Sequence, residues 1–240
     1  MTRGKADKVD AKRIASYAFK NYHELIFWKP QRESIQKLKA LLVLRDRLVK
    51  AKTQLEVPLN ECKEYVDIKI WKNIQSFSKR SISSLSNEIK AVEKAIKDLI
   101  KQDQPLSQQM AIVESVPGIG LITASNIIVA TQEFTRINDP KKFACYSGVA
   151  PFEHTSGSSI RGKTRVSKLA NMTMKTLLHL ASIVAIQHDE ELRAFYLRKV
   201  ESGKNKMSVI NAVRNKLITR VFSCIKNNRM YEKNYNYQLV

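Results

Sequence analysis

Six apolar residues, Ile82, Leu85, Ile89, Val92, Ile96 and Leu99, follow one another in alternating steps of three and four. Only a helix keeps such a series on one side. Over about three heptads it forms the seam of a coiled coil, unlike the two-residue alternation of a strand. A similar run, Leu41, Leu44, Leu48, Ala51 and Leu55, lies upstream and is expected to stop at Pro58, which lacks the donor that a helix interior needs. Two such helices joined by a connector fold back as an antiparallel hairpin. The spacing suits a long protruding arm and two members of an ordinary bundle equally well. With 7 Gly and 6 Pro in 240 residues, turn signals are too sparse for a many-stranded sheet, so the fold class expected is mainly α.

The chain carries 42 Lys and Arg against 22 Asp and Glu, a net charge of +20. An apolar content of 43% is enough for a packed core and excludes a wholly disordered basic tail. The charge therefore favours a folded partner of a polyanion, nucleic acid ahead of an anionic membrane surface. Cys62, Cys145 and Cys224 lie far apart without the spacing of a zinc site or a disulfide framework. No run approaches the ~18 apolar residues of a spanning helix, and no signal-peptide stretch follows the N-terminus. A cytoplasmic protein is expected.

A first helix is predicted from Asp7 to about Tyr22, with Val9, Ile14, Tyr17, Ala18 and Tyr22 at helical spacing. Residues 31–104 hold the two seams and read as scaffold. From Pro105 the texture changes, with Gly, Pro and Ser concentrated between Pro117 and Gly162. Residues 164–200 and 206–230 are then predicted to be helical.

The most specific motif runs from Ile112 to Ile128 around Pro117-Gly118-Ile119-Gly120. Two short helices meeting at such a turn resemble a helix-hairpin-helix, which binds DNA backbone without reading sequence. Gly118 and Gly120 permit close approach, and the second helix presents unpaired N–H donors to a phosphate. The competing reading is a packed corner in which both glycines serve contact alone. Between Glu153 and Asp189 there is no acid, and Arg161, Lys163, Arg165, Lys168 and Lys175 supply five bases. Between Glu201 and Glu232 there is again none, and Lys204, Lys206, Arg214, Lys216, Arg220, Lys226 and Arg229 supply seven. Such stretches suit a nucleic-acid surface.

The first basic stretch contains a Ser-rich loop, residues 151–163, in which His154 and Ser156 stand beside these cations. A serine hydroxyl needs a base, a metal or cations to become a nucleophile, and a loop of this composition alone does not establish one. Asp7 and Asp10 share one helix face, a spacing that suits either a Mg²⁺ ligand pair or capping of the positive helix end. His179 stands among leucines and reads as a packing residue rather than a catalyst.

Three stretches together resemble one family: residues 3–15 (Arg-Gly-Lys-Ala-Asp-Lys-Val-Asp-Ala-Lys-Arg-Ile-Ala), the Val116–Gly120 turn, and residues 143–171 with Phe143-Ala144-Cys145-Tyr146-Ser147-Gly148-Val149-Ala150-Pro151, Thr155-Ser156-Gly157 and Arg165–Asn171. The chain resembles bacterial insertion-sequence transposases that join a RuvC-like domain with four acidic (DEDD) ligands to a C-terminal serine-bearing domain and are guided by a bridge RNA. The resemblance implies three regions: 1–30 as the end of the RuvC-like domain, 31–104 as a coiled-coil hairpin through which subunits associate, and 105–240 as the transposase domain with the helix-hairpin-helix near 112–130. It implies that Asp7 and Asp10 are the last two acidic ligands of a Mg²⁺ site and that Ser156 attacks DNA and becomes linked to a phosphate. Ser158 and Ser159 remain alternative nucleophiles. Gly118, Gly120, Arg161, Lys163, Arg165, Lys168, Lys175, Lys204, Lys206, Arg214, Lys216 and Arg220 are the expected nucleic-acid contacts. DNA, a guide RNA and a second copy of the chain are the expected partners.

Two departures accompany the resemblance. The family's first two acids have no counterpart, so a truncated chain with an incomplete metal set is expected. Ala170 stands where the family usually has Gly. The alternative function is a non-catalytic helix-hairpin-helix protein that binds DNA or RNA, and the remaining one a coiled-coil scaffold without a nucleic-acid role.

Overall fold

The computed structural model describes residues 7–24, 30–156, 160–167 and 169–233, with the backbone alone at 24, 153–156, 160, 161 and 163–165. The chain forms two compact units, residues 1–32 and 33–240. In the first, α1 spans Asp7–Lys20 and a short 3-10 turn spans Tyr22–Glu24. Asp7 and Asp10 lie in the first turn of α1, where carboxylates offset the positive helix end.

The second unit opens with a long helical pair, α2 (Glu33–Cys62) and α3 (Ile68–Gln102). The two run antiparallel, because Ser34 Oγ donates to Asp103 Oδ2 at one end, Arg45 pairs with Glu93 at 2.7 Å, and Trp71 Nε1 donates to the Leu59 carbonyl near the other. The α3 seam is present as expected: Val92 and Ile96 are buried, and Ile82, Leu85, Ile89 and Leu99 are half-buried. The α2 seam is met in part, with Leu41, Leu48 and Ala51 half-buried. Ile35, Leu38 and Leu42 are buried, whereas Leu44 and Leu55 are exposed, because α2 packs on another helix as well as α3 and turns its stripe toward both. Nor does Pro58 end α2. The helix continues to Cys62, held by the buried Leu59 and the indole bond to its carbonyl.

Beyond the pair come α4 (Gln104–Glu114), α5 (Leu121–Thr131), α6 (Pro140–Tyr146), strands β1 (Pro151–Ser156) and β2 (Ile160–Val166), then α7 (Met172–His188), α8 (Glu190–Glu201) and α9 (Lys206–Lys226). Asp103, Asp139, Asn171, Asp189 and Asn205 each accept a backbone N–H at the start of a helix, a cap that contributes about 1 kcal/mol. The core gathers Leu106 and Met110 of α4, Ile127 and Ile128 of α5, Phe143 of α6, Leu178 of α7, Leu192 of α8 and Leu217 of α9, all almost fully enclosed. It also reaches Ile35, Leu38, Ile96 and Ile100 at the base of the long pair. Further on, the Tyr231 backbone N–H donates to Ser115 Oγ at 2.8 Å, and Arg220 lies over the Tyr231 ring.

The chain is mainly α, with two departures after residue 150. The segment read as a loop is an antiparallel ribbon, Pro151 opposite Val166 and Ser156 opposite Ile160, with an irregularity between Phe152 and His154. Of residues 164–200, predicted to be helical, the start belongs to β2 and most of the rest is helical as α7 and α8. Asp189 divides these two helices: it closes α7 and caps α8. Leu169, within that stretch, precedes α7 and is 97% exposed.

Candidate nucleic-acid interface and serine hairpin

Ser156 is the last residue of β1, and its side chain lies outside the described residues, as do Ser158, Ser159 and Lys168. What the structure specifies is how the ribbon is rooted. The N–H groups of Val149 and Ala150 both donate to the Ala144 carbonyl, at 2.9 and 3.0 Å. On the returning leg, Asn171 N donates to the Tyr146 carbonyl and Asn171 Nδ2 to the Tyr146 hydroxyl, both at 2.8 Å. Both legs are thus tied to the end of α6. A third tie comes from α9, where Asn211 Nδ2 donates to the Val149 carbonyl at 2.9 Å. Gly148, at φ +65°, sits in the root, and a Cβ there would meet the Ala170 methyl at 2.9 Å. Arg161, Lys163 and Arg165 occupy alternate positions of β2, with Arg161 opposite Thr155 and Arg165 opposite Phe152.

The two glycines of the turn between α4 and α5 divide the two readings between them. Gly118 has φ +85°, and a Cβ there would lie 2.3 Å from the Ala181 carbonyl oxygen and 2.8 Å from the Ala185 methyl of α7. Its role is close packing. Gly120 meets nothing within 4 Å of such a Cβ, is exposed and precedes α5 without a side-chain cap. The first N–H groups of α5, an eleven-residue helix, therefore lie at an open end, the arrangement that accepts an anion.

The expected cationic contacts separate as well. Lys204 and Lys206 are exposed at the start of α9, and Lys175 is half-buried with its stem against Gly148. Lys216 lies over the Phe195 ring. Arg214 is turned inward at 5% exposure, and burial lowers its basicity. One guanidinium nitrogen bonds His179 Nδ1 at 2.5 Å and another donates to Asn211 Oδ1 at 3.3 Å. Arg220 pairs with the buried Asp189 at 3.1 Å and with Glu191 at 2.5 Å. Both arginines were expected on a nucleic-acid surface, and packing between α7, α8 and α9 engages them instead. Burial, followed by the charge of Arg214, lowers the basicity of His179.

Asp7 and Asp10 are exposed on α1, Asp10 3.5 Å from Arg13. Among the described residues no group of three or more His, Cys, Asp or Glu stands together to hold a metal. Two carboxylates alone do not make the closed oxygen cage of a resident metal site. Sequence reasoning missed Asn211, Tyr146 and the pairing of His179. Asn171 carried a signal, as an Asn placed immediately before a helical apolar pattern.

A mainly α unit with an open helix end and exposed lysines at another helix start is of the class that engages a polyanion. Residues 110–197 match the family described as transposase IS116/IS110/IS902. Over 236 residues the chain is 30% identical to the pilin gene-inverting protein of Moraxella bovis, covering 96% of this chain and 69% of that protein. It is 23% identical over 205 residues to the transposase for insertion sequence element IS1111A of Coxiella burnetii, covering 77% of this chain and 56% of that one. It is 26% identical over 152 residues to an IS110 insertion-element protein of Streptomyces coelicolor, 63% of this chain and 36% of that one. The chain belongs to the IS116/IS110/IS902 family of transposases. Membership implies DNA as a partner. No helix among the described residues is long and apolar enough to cross a membrane.

Proposed function

We propose that this chain cuts and rejoins DNA through a covalent link between Ser156 and a backbone phosphate. The Ser156 hydroxyl attacks phosphorus and gives its proton to a base. The P–O bond to the leaving deoxyribose breaks, and that oxygen takes up a proton. Attack by a hydroxyl of a second DNA end reverses these steps, so the number of phosphodiester bonds is conserved and no external energy source is needed. The observation that carries this reading is the placement of Ser156 at the end of a ribbon with both legs tied to α6, opposite a strand bearing Arg161, Lys163 and Arg165. Basic residues on that strand would supply positive charge to offset what builds on the phosphorus oxygens. Lys168, Lys175, Lys204, Lys206, Lys216 and the N–H groups after Gly120 would follow the DNA backbone. Asp7 and Asp10 offer a Mg²⁺ only two oxygen ligands, so no step is routed through the metal.

Inversion, the action named for the Moraxella relative, and transposition, named for the Coxiella relative, both require DNA to be cut and rejoined, which supports the reading. A guide RNA would add a second polyanion to the same basic surface. Self-association through the α2–α3 arm is supported by Tyr65, Ile70 and Phe77, exposed apolar residues far from the core. The test is covalent trapping of DNA: Ser156→Ala is expected to abolish the protein–DNA adduct and leave binding nearly unchanged. An adduct that survives moves the nucleophile elsewhere. A second reading, a binding protein without catalysis, draws on the open α5 end. Steeply salt-dependent binding with no strand cleavage in Mg²⁺ would support it.

A further inference from the structure

A guanidinium enclosed between α7 and α9 with neutral partners is an expensive way to fill space, because an apolar side chain of similar volume packs there without desolvating a charge. Arg214 is such a group. Its hydrogen-bond partners are His179 and Asn211, and its Nε is buried without a partner among the described residues. A guanidinium only donates, so the Asn211 oxygen must face it and the Asn211 NH₂ must turn the other way. It turns to the Val149 carbonyl at 2.9 Å.

That carbonyl lies two residues before β1. The strand begins with Pro151, which has no N–H to give to the ladder or the root. The outgoing leg is fastened at Val149 and Ala150 by their donation to Ala144 and by the side-chain bond from Asn211. We propose that Arg214 and Asn211 are positioning residues for the serine hairpin: His179 holds the guanidinium, the guanidinium orients the Asn211 amide, and the amide sets the direction in which β1 leaves the helical core. The consequence for catalysis rests on Ser156 being the nucleophile; the positioning itself does not.

Asn211→Asp tests it in the full chain. A carboxylate still accepts from Arg214 and now balances its charge, so the thermal midpoint stays at or above that of the unchanged protein. It has no hydrogen to give Val149, so the amides of Ala150 and of the β1–β2 ladder exchange with deuterium up to about tenfold faster, the size of one hydrogen bond. The amides of α5 keep their protection. Arg214→Met is the second variant, expected to fold and to show the same loosening confined to the hairpin. Unchanged hairpin exchange in either folded variant overturns the proposal. So does parallel loss of protection in hairpin and helices, the mark of packing alone. Failure of the Ser156 reading is separate, since an adduct that survives Ser156→Ala leaves the exchange results to decide the role of Asn211.

Discussion

The two ends of the α2–α3 arm are built from the same apolar stepping and reach opposite states. At the base, Ile35, Leu38 and Leu42 meet Val92, Ile96 and Ile100 and merge with the core of α4–α9. Toward the connector, Val57, Ile68, Ile70, Ile74 and Phe77 are exposed, with Leu59 buried among them. A helical pair has two neighbouring faces and can close only one on itself. Burial at the base depends on a third helix arriving, and the distal half has none within this unit.

The largest expected effect lies at the base. Leu38→Ala removes a fully enclosed side chain and is expected to destabilise the protein by about 3–5 kcal/mol in denaturant unfolding followed by circular dichroism. A loss below about 1 kcal/mol would mean that base and tip are alike. Next comes the turn before α5. Gly118→Ala forces a methyl against the α7 backbone at a left-handed position and is expected to cost about 2–4 kcal/mol. Gly120→Ala, in open space, is expected to unfold within about 0.5 kcal/mol of the unchanged protein. Equal losses would erase the distinction between packed and open glycines.

A smaller effect concerns His179. Its folded basicity is lowered by burial and by Arg214, so below the ordinary histidine value of about 6.5 the unfolded chain takes up the proton first. Its contribution to stability is complete above that pH and falls as the pH drops through it. Comparing unfolding at pH 7.5 and about 5.5 with that of His179→Gln isolates this term; identical pH dependence in the two proteins would remove it. The smallest effect is at the tip. Phe77, 78% exposed, is expected to change monomer stability by less than about 0.5 kcal/mol when replaced by alanine, while weakening self-association measured by sedimentation. A large loss of monomer stability would show that the tip is packed after all.

The helical character of the chain was legible because apolar residues at three-four spacing have few other uses, and the α3 seam fell where that spacing put it. The α2 stripe was placed only in part because α2 answers to α5 as well as to α3, a constraint absent from its own periodicity. The ribbon was missed because Thr, Ser and Gly flank its turn and its strands carry little of the apolar alternation that marks a half-buried strand. Charge located the basic stretches but not their direction. Arg214 and Arg220 occupy the same acid-free run as Lys204 and Lys206, and only packing against His179 and Asp189 turns them inward. Asn211 left no trace, since one Asn on a long helix is an ordinary surface residue until the chain brings Val149 beside it.

The bond from Tyr231 to Ser115 spans 116 positions of the chain. During synthesis, the hydroxyl after α4 waits for its partner until α9 and the residues beyond it have left the ribosome. At about 5–20 residues per second that interval lasts on the order of ten seconds, during which the helical unit lacks this closing bond.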